Sequence, residues 1–472
     1  SKMDKVYLYD TTLRDGAQGE GISFSDAGKV RFARLLDEFG VDFIEGGFAG
    51  SNPRDRRFFE DIRKESLGHA RITAFGSTRR VDRDAKDDEQ LAGLLAAETE
   101  WVTIYGKSWL LHVQDVLRTT GDHNVQMIAD TVGHLRAAGR QVFFDAEHFF
   151  DGYKSDSAYA LRALGAALRE GAAGVVLCDT NGGCLPHEVY AITRAVCEAF
   201  PGAQVGIHTH NDSGLAVATS LEAVRAGARQ VQGCVNGYGE RTGNANMTSI
   251  VPALELKMGF TCVGPERLRK LREVSLVTDD LANQRADPRQ PYVGRTAFSH
   301  KAGAHVNAVQ KNPKTFEHVE PETVGNARRF LASEVSGRST VLEKVRAYAP
   351  ELKKNSPEIQ TIIDSLKEME HKGYQFEAAD ASFELLVRRL IGRFTPHFTL
   401  VLYRASSESP AADGELPCSA MIRVKVGDRD ETAAAMGNGP VNALDLALRK
   451  ALAVFYPQLS EMKLTDYKVR VL

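Results

Sequence analysis

Two histidines separated by a single residue are the clearest chemical feature of the chain. His208 and His210 stand in "GIHTHNDSG" (206–214), directly after the apolar run "AQVGI". If that run is a β-strand, alternate side chains share a face, so both imidazoles point the same way. Two such imidazoles bind a divalent metal ion when a hard oxygen donor lies nearby. The pattern therefore predicts part of a metal site, whose remaining ligands come from elsewhere in the chain.

Eight short apolar runs alternate with amphipathic stretches of helical spacing in the first part of the chain. They predict β-strands over residues 6–13, 42–48, 71–78, 101–108, 141–149, 174–182, 204–212 and 230–239. Eight strand–helix cycles in about 260 residues match an α/β fold of the (β/α)8 TIM-barrel type. An open, doubly wound sheet is the alternative, but the turn "TTLRDGAQGEG" lacks the glycine order of a dinucleotide-binding fingerprint. We therefore expect a closed barrel.

A barrel of this kind carries its chemistry at the C-terminal ends of its strands. Nearly every predicted strand has polar residues at that end and nothing comparable at the other. These residues are Asp10, Thr12, Arg14, Asp15, Glu45, Ser77, Thr78, Tyr105, Lys107, Asp145, Glu147, His148, Asp179, Thr180, Asn181, His208, His210, Asn211, Asp212, Asn236, Glu240, Arg241 and Asn244. Such one-sided polarity predicts an active site at one rim of the barrel.

Closure of the barrel brings the last and first strands next to the two histidines. Asp10 or Asp15 can then supply a carboxylate ligand, and strand parity does not choose between them. Asn244 can add an amide oxygen. Arg14 is suited to stabilising an enolate or alkoxide beside a metal; the alternative is a surface salt bridge, which contributes little.

Two further rim residues have a functional and a structural interpretation. Glu147, in "FFDAEHFFDG", follows a strongly apolar strand and is a candidate for acid–base work, or it forms a hydrogen bond that only orders the loops. Thr180 can donate a hydrogen bond to a substrate carboxylate, or it caps a helix.

Composition narrows the functional class. The chain has 472 residues, 43% hydrophobic and 26% charged, with a net charge of −3. This length predicts two or three domains, and the weak charge gives no basis for binding nucleic acid or an anionic membrane. No apolar stretch approaches the roughly 20 residues of a membrane-spanning helix. Six cysteines without a CxxC pair argue against a thiolate zinc cluster or disulfide framework and fit a cytoplasmic enzyme.

Three motifs in order, "DTTLRDG", "HTHND" and "NGYGERTGN", resemble those of the pyruvate-carboxyltransferase-like family of metal-dependent aldol and Claisen enzymes. That family includes 2-isopropylmalate, homocitrate and citramalate synthases and hydroxymethylglutaryl-CoA lyase. "FSHKAGAHVNAVQKNPKTFEHVEPETVG" looks like the segment after the barrel of the synthases, and "MGNGPVNALDLALRKAL" looks like their C-terminal regulatory domain. The resemblance thus covers essentially the whole chain. "YDTTLRDGAQGEGISFS" and "IEGGFAGSNPRD" look most like the citramalate synthases, because isopropylmalate synthases more often have Glu-Gln in place of Ala17-Gln18.

For individual residues, the resemblance implies metal ligands Asp15, His208, His210 and Asn244. It implies that Arg14 stabilises developing negative charge and that Glu147 and Thr180 contact the keto acid or do acid–base work. We also expect Tyr105 to contact the keto acid. His305, in "GAHVNA", aligns with a histidine that activates acetyl-CoA. Where the family usually has a tyrosine, this chain has Phe316, so water or His305 must supply any proton transfer made by that hydroxyl.

The implied reaction is a Claisen-type condensation of acetyl-CoA with pyruvate, giving (R)-citramalate and CoA for isoleucine synthesis. The implied cofactor is a divalent metal ion, Zn, Mn, Co or Mg. A 2-isopropylmalate or homocitrate synthase is the alternative, followed by a lyase and by a non-catalytic metal-dependent sensor.

We expect three regions: a catalytic barrel (1–261), a helical linker or lid (262–379) and an α+β module (380–472). Within the module, strands are predicted over 381–392, 397–406, 418–436 and 465–472, with a helix at 440–455. No metal or nucleophile pattern occurs in the module. The resemblance implies a homodimer with feedback inhibition there, isoleucine being the natural inhibitor; a purely structural domain is the alternative.

Overall fold

The computed structural model describes residues 4–301, 303–330, 337–374, 376, 379–410, 413–464 and 467. The chain divides into two compact units. The first contains the residues up to 300 together with 308–329, and the second contains 301–307 and the residues from 330 onward. Among the described residues, no helix is both long and apolar enough to cross a membrane. All six cysteines lie within the described part and are free thiols.

Eight parallel strands form a closed barrel in the first unit. They are β1 (Tyr7–Asp10), β2 (Phe43–Phe48), β3 (Arg71–Ser77), β4 (Trp101–Lys107), β5 (Gln141–Glu147), β6 (Gly174–Asp179), β7 (Val205–Thr209) and β8 (Gln230–Gly233). β1 pairs with both β2 and β8, so the barrel fold is confirmed and the open sheet is wrong. Most of the predicted strands run too far at the C-terminal end. β8 stops at Gly233 rather than 239, and extended backbone could not continue through Asn236, which has a left-handed φ of 62°.

Helices surround the barrel and bury one face against it. They are α1 (Asp26–Phe39), α2 (Pro53–Ile62), α3 (Glu89–Ala96), α4 (Leu110–Asp115), α5 (Gly121–Ala137), α6 (Phe149–Ser155), α7 (Ser157–Arg169), α8 (Pro186–Ala199), α9 (Ala216–Ala226), α10 (Met247–Leu256), α11 (Pro265–Leu268) and α12 (Leu271–Leu281). As expected from its sequence, α1 begins after Ser25, whose side chain accepts a hydrogen bond from the Gly28 N–H, and ends at Gly40 with a φ of 97°.

The interior of the barrel changes from apolar to polar towards the C-terminal rim. Aromatic rings fill one layer, where Tyr9, Phe43 and Phe143 pack together. Buried polar side chains lie beside these rings and closer to the rim, namely Glu45, Thr103, Asp145, Gln230 and Gln232. This layer underlies the rim and positions its functional groups.

The rest of the first unit follows α12. It contains the two-residue strand β9 (Ser299–His300), 3-10 turns at Pro313–Thr315 and Pro321–Val324, and the start of the short strand β10 (Arg329–Phe330). A buried ion cluster joins this segment: Glu317 accepts hydrogen bonds from Arg328 and lies 2.8 Å from His300 Nε2.

The second unit has a helical part and a sheet part. Its helices are α14 (Arg338–Val345), α15 (Pro357–His371) and α16 (Asp380–Leu390), while α13 (Gly303–Lys311) belongs to it only through residue 307. Strands β11 (Thr399–Ser407), β12 (Cys418–Val426) and β13 (Arg429–Gly437) form an antiparallel sheet, and α17 (Pro440–Ala453) packs on β12 and β13.

One strand prediction in this unit is wrong. Residues 381–392 were expected to be extended, but they lie mainly in α16. Phe383 and Val387, four residues apart, are its buried positions, a helical rather than an alternating spacing. The predicted strand at 465–472 lies outside the described residues, apart from Tyr467, which is not in a strand.

Candidate active site

A cavity of about 290 Å³ opens at the C-terminal rim of the barrel, and all eight strands or the turns after them contribute to its lining. The predicted site residues that line it are Arg14, Asp15, Tyr105, Glu147, Thr180, His208 and His210. The rim therefore gathers side chains that are far apart in the sequence.

Three ligand-type atoms converge in this cavity. The Nε2 atoms of His208 and His210 lie 3.1 and 3.3 Å from Asp15 Oδ2 and 3.1 Å from each other. In the described part of the chain, these residues are the one group of three histidine, cysteine or acidic side chains able to hold an ion. Asp10 is turned away, accepting hydrogen bonds from the N–H and hydroxyl of Thr12. Of the two aspartates that parity left open, Asp15 is the one beside the imidazoles.

Asn244 lies at the same point but presents its nitrogen. Its Nδ2 donates to Asp15 Oδ2 at 2.6 Å, and a backbone bridge pairs the residue with His210. To offer its oxygen to a cation, the amide must turn over, which is an ordinary side-chain rotation.

Arg14 is held beside this group by neighbours that the sequence did not identify. Its Nε donates to Glu45, and its guanidinium lies 3.7 Å from the centroid of the Phe75 ring. Nη1 is 3.9 Å from Asp15 Oδ1. Burial disfavours the charged form, but Glu45 and Asp15 outweigh it and raise the pKa of Arg14. The guanidinium is therefore a fixed positive charge at the cavity.

Charges also set the protonation of Asp15 and His208. Burial raises the pKa of Asp15, but the Arg14 charge and the hydrogen bonds from His208 and His210 hold it well below its usual range. For His208, burial lowers the pKa, and the hydrogen bond with Asp15 outweighs this and raises it. Asp15 is thus an anion facing positively charged or hydrogen-bonding partners.

The remaining rim residues have defined partners. Glu147 forms an ion pair with Lys107, Oε2 to Nζ 2.7 Å, at a half-buried position. The Thr180 hydroxyl accepts the His148 backbone N–H at 2.8 Å, so its own hydrogen is available for another acceptor. Tyr105 stacks on Phe75 with ring centroids 5.3 Å apart.

The predicted catalytic residue His305 and the residue Phe316, which replaces the usual tyrosine of the family, lie after the barrel. His305 is exposed on the part of α13 that belongs to the second unit, so its role at the cavity stays a prediction. Phe316, in the first unit, is 49% exposed and follows the 3-10 turn at 313–315.

Sequence reasoning missed the side chains that orient the site. Glu45 was noted only as a polar strand end, and Gln232, whose Oε1 lies 2.8 Å from His208 Nδ1, was not considered. The available signal was polarity at inward positions of buried strands, as in "FIEGGF" and "QVQGC".

The fold and the site define a TIM-barrel protein with a candidate metal site at its C-terminal rim, and comparison with known families agrees with this class. Residues 5–275 match the HMGL-like family model, and the chain belongs to that family. Residues 292–374 match the homocitrate synthase post-HMGL domain-like model, and 377–472 match the LeuA allosteric (dimerisation) domain.

Similar curated proteins indicate a narrower group within this family. The chain is 52% identical over 470 residues to an (R)-citramalate synthase of Aquifex aeolicus, covering 99% of this chain and 89% of that protein. It is 51% identical over 470 residues to the (R)-citramalate synthase of Geobacter sulfurreducens, covering 100% and 89%. A probable 2-isopropylmalate synthase of Methanopyrus kandleri is 32% identical over 449 residues, covering 95% and 86%. Within the HMGL-like family, the chain therefore belongs with the (R)-citramalate synthases.

Solved structures share the barrel. An HMG-CoA lyase of Bacillus subtilis matches with a TM-score of 0.51 and 19% identity, covering 60% of this chain and 95% of that one. The hydroxymethylglutaryl-CoA lyase of Pseudomonas aeruginosa gives 0.51 and 18%, covering 60% and 96%. At these identities the likeness concerns the fold alone.

Proposed function

We propose that the chain condenses acetyl-CoA with pyruvate and that water then cleaves the resulting thioester, to give (R)-citramalate and CoA, using a divalent metal ion. The observation that carries the proposal is the convergence of Asp15, His208 and His210 in the rim cavity, with Arg14 beside them. The names of the curated relatives support the choice of reaction.

The donor set fits a metal ion. Ligand atoms about 2.0–2.1 Å from a tetrahedral ion lie roughly 3.3 Å apart, and the three atoms here are separated by 3.1–3.3 Å. Two imidazoles and a carboxylate suit Zn, Mn, Co or Mg. When bound, such an ion polarises a substrate carbonyl as a Lewis acid. Asn244 can complete the set once its amide turns.

Holding an ion through His210 Nε2 also affects Arg241. Its Nη2 donates to His210 Nδ1 at 3.0 Å, which places the imidazole proton on Nε2. Ligation through Nε2 requires the proton on Nδ1 instead, so Arg241 must give up this hydrogen bond and keep its ion pair with Asp212.

Arg14 supplies the fixed charge that the reaction needs. Addition of an acetyl-CoA enolate to the ketone of pyruvate creates an alkoxide. A guanidinium already oriented by Glu45 and Phe75 can balance this charge without reorganisation. The Thr180 hydroxyl is placed to donate to the pyruvate carboxylate, and Glu147 with Lys107 forms an acid–base pair at the rim. We assign removal of the acetyl proton to His305, assisted by Glu147 or by water. Position 316, where the family usually has a tyrosine, is Phe in this chain and has no hydroxyl to take part.

The wall of the cavity favours a small keto acid. Phe48, Phe75 and Tyr105 line one side. The Phe75 ring lies against the Arg14 guanidinium, packs edge-on against Phe48 and stacks on Tyr105. Because each ring is held by its neighbours, the wall cannot yield easily to a branched substituent. This favours pyruvate over 2-oxoisovalerate, the substrate of the alternative 2-isopropylmalate synthase.

Release of CoA thiol on addition of each keto acid tests the proposal. We expect kcat/KM to be highest with pyruvate and lower with 2-oxoisovalerate and 2-oxoglutarate. A preference for 2-oxoisovalerate would make the chain an isopropylmalate synthase, and no thiol release with any keto acid would overturn a synthase function. The Asp15→Asn variant serves as the inactive control.

Regulation belongs to the same proposal. Residues 377–472 match an allosteric and dimerisation domain, and we assign them feedback inhibition by isoleucine in a homodimer. Calorimetric titration should show binding of isoleucine but not of glycine. Absence of isoleucine binding would leave the module with a structural role.

A further inference from the structure

Gln232 joins strands β7 and β5 inside the barrel. It lies on β8 and is fully buried. Its Oε1 is 2.8 Å from His208 Nδ1 on β7, and its Nε2 is 3.2 Å from Asp145 Oδ1 on β5. The same nitrogen is 3.2 Å from Gln230 Oε1. The amide therefore touches a histidine of the rim at one end and two oxygens of the polar layer at the other.

These partners fix which way the amide faces. Asp145 Oδ1 and Gln230 Oε1 both accept from the amide nitrogen. The amide oxygen must then face His208, and it can only accept. His208 consequently carries a proton on Nδ1, and in its neutral form the lone pair on Nε2 points towards Asp15 and His210.

We propose that Gln232 is the positioning residue that holds His208 in the tautomer and ring orientation needed to bind a cation, with Asp145 anchoring the amide from the far side of the barrel. This inference rests on the proposed metal site. Groups that hydrogen-bond a ligating histidine change metal affinity by about 10- to 100-fold when they are removed.

Zinc binding to the EDTA-treated full chain tests this role. The affinity is measured by competition with a chromophoric chelator, and the melting temperature of each variant is recorded. Gln232→Met keeps the length but removes the hydrogen bonds to His208, Asp145 and Gln230, and should weaken Zn²⁺ binding by about 10- to 100-fold. Gln232→Asn is too short to reach both His208 and Asp145, so it should also weaken Zn²⁺ binding. It replaces the methionine variant if that variant fails to fold.

Two further variants separate positioning from packing. Gln232→Glu retains an acceptor for His208 Nδ1–H. It can also share a proton with Asp145, whose burial raises its pKa to about 7. This variant should bind Zn²⁺ more tightly than Gln232→Met. Gln230→Met, a change in the same buried layer that leaves both His208 and Asp145 in contact with Gln232, should stay within about threefold of the wild type.

The outcomes are distinct. Wild-type affinity in Gln232→Met, or weaker binding in Gln232→Glu than in Gln232→Met, would overturn the positioning role. Failure of the unmodified chain to bind Zn²⁺ would instead overturn the proposed metal site.

Discussion

At the scale of single residues, the site depends on an anion held among positive and hydrogen-bonding partners. Asp15 is buried, yet Arg14, His208, His210 and Asn244 all face it. If Asp15 loses its charge, no anionic ligand remains beside the two imidazoles and the Asn244 amide.

Asp15→Asn should therefore lower the affinity for Zn²⁺ by at least about tenfold, since a neutral amide is a much poorer ligand than a carboxylate. Asp10→Asn, a matched change at a buried aspartate that faces Thr12 instead, should leave the affinity unchanged. Competition with a chelator measures both. Equal affinities for the wild type and Asp15→Asn would exclude Asp15 as a ligand.

Replacing Arg14 should lower turnover more than it weakens substrate binding. Arg14→Lys keeps a positive charge but cannot both bond Glu45 and stack on Phe75 as a planar guanidinium does. We expect kcat for CoA release to fall by about 10²-fold or more. Arg225→Ala, which removes a surface arginine paired with Glu222, should have no effect. Near-wild-type turnover in Arg14→Lys would refute the proposed role.

Asp10 gives a testable pH dependence of stability. Burial raises its pKa from 3.8 to about 7, so between these values the folded chain binds a proton that the unfolded chain has released. Stability from this group is therefore lost as pH rises from about 4 to 7, by a few kcal/mol at most. Asp10→Asn should flatten this loss in urea titrations of the barrel, followed by fluorescence of Trp101 and Trp109. An unchanged pH slope in the variant would contradict the raised pKa.

At this scale, sequence reasoning found the residues with intrinsic chemistry and missed the ones that orient them. His208 and His210 are recognisable because type and spacing already indicate metal binding, whereas the family resemblance, not spacing, selected Asp15 over Asp10. Glu45 and Gln232 act through contacts across the barrel, and no local pattern reveals which side chain lies opposite another.

At the scale of elements, strand starts were more predictable than strand ends. β7 and β8 begin within one residue of the prediction, but both end early because the backbone leaves the parallel ladder at the rim, where His210 and Cys234 form only isolated bridges. The wrong strand prediction at 381–392 shows a second limit of sequence reasoning. A short apolar run fits both the two-residue repeat of a strand and the 3.6-residue repeat of a helix until its buried neighbours are known.

The segment after the barrel depends on a buried ion cluster. Burial raises the pKa of Glu317, but hydrogen bonds from Arg328 and His300 outweigh it and lower the pKa. Glu317→Gln leaves Arg328 without its carboxylate and should reduce the free energy of unfolding by about 3 kcal/mol, as measured by denaturant titration. The exposed Glu322→Gln is the matched control, and equal losses in the two variants would show that the cluster contributes nothing specific.

At the scale of the whole molecule, closure of the barrel creates the site. Asp15 and His208 are 193 residues apart, and Asp15 and Asn244 are 229 apart, yet the pairing of β8 with β1 brings them together. Eight repeated cycles made this closure predictable. The limits of the three regions (1–261, 262–379 and 380–472) and the isoleucine site remain predictions, because no local motif marks them.

The central claim is that one divalent cation binds where Asp15, His208 and His210 converge. An anomalous difference map from crystals soaked with Zn²⁺ and pyruvate tests it most directly. The account predicts one strong peak about 2.0–2.2 Å from Asp15 Oδ2 and from both histidine Nε2 atoms. A peak elsewhere, or none with these three atoms turned apart, would contradict it.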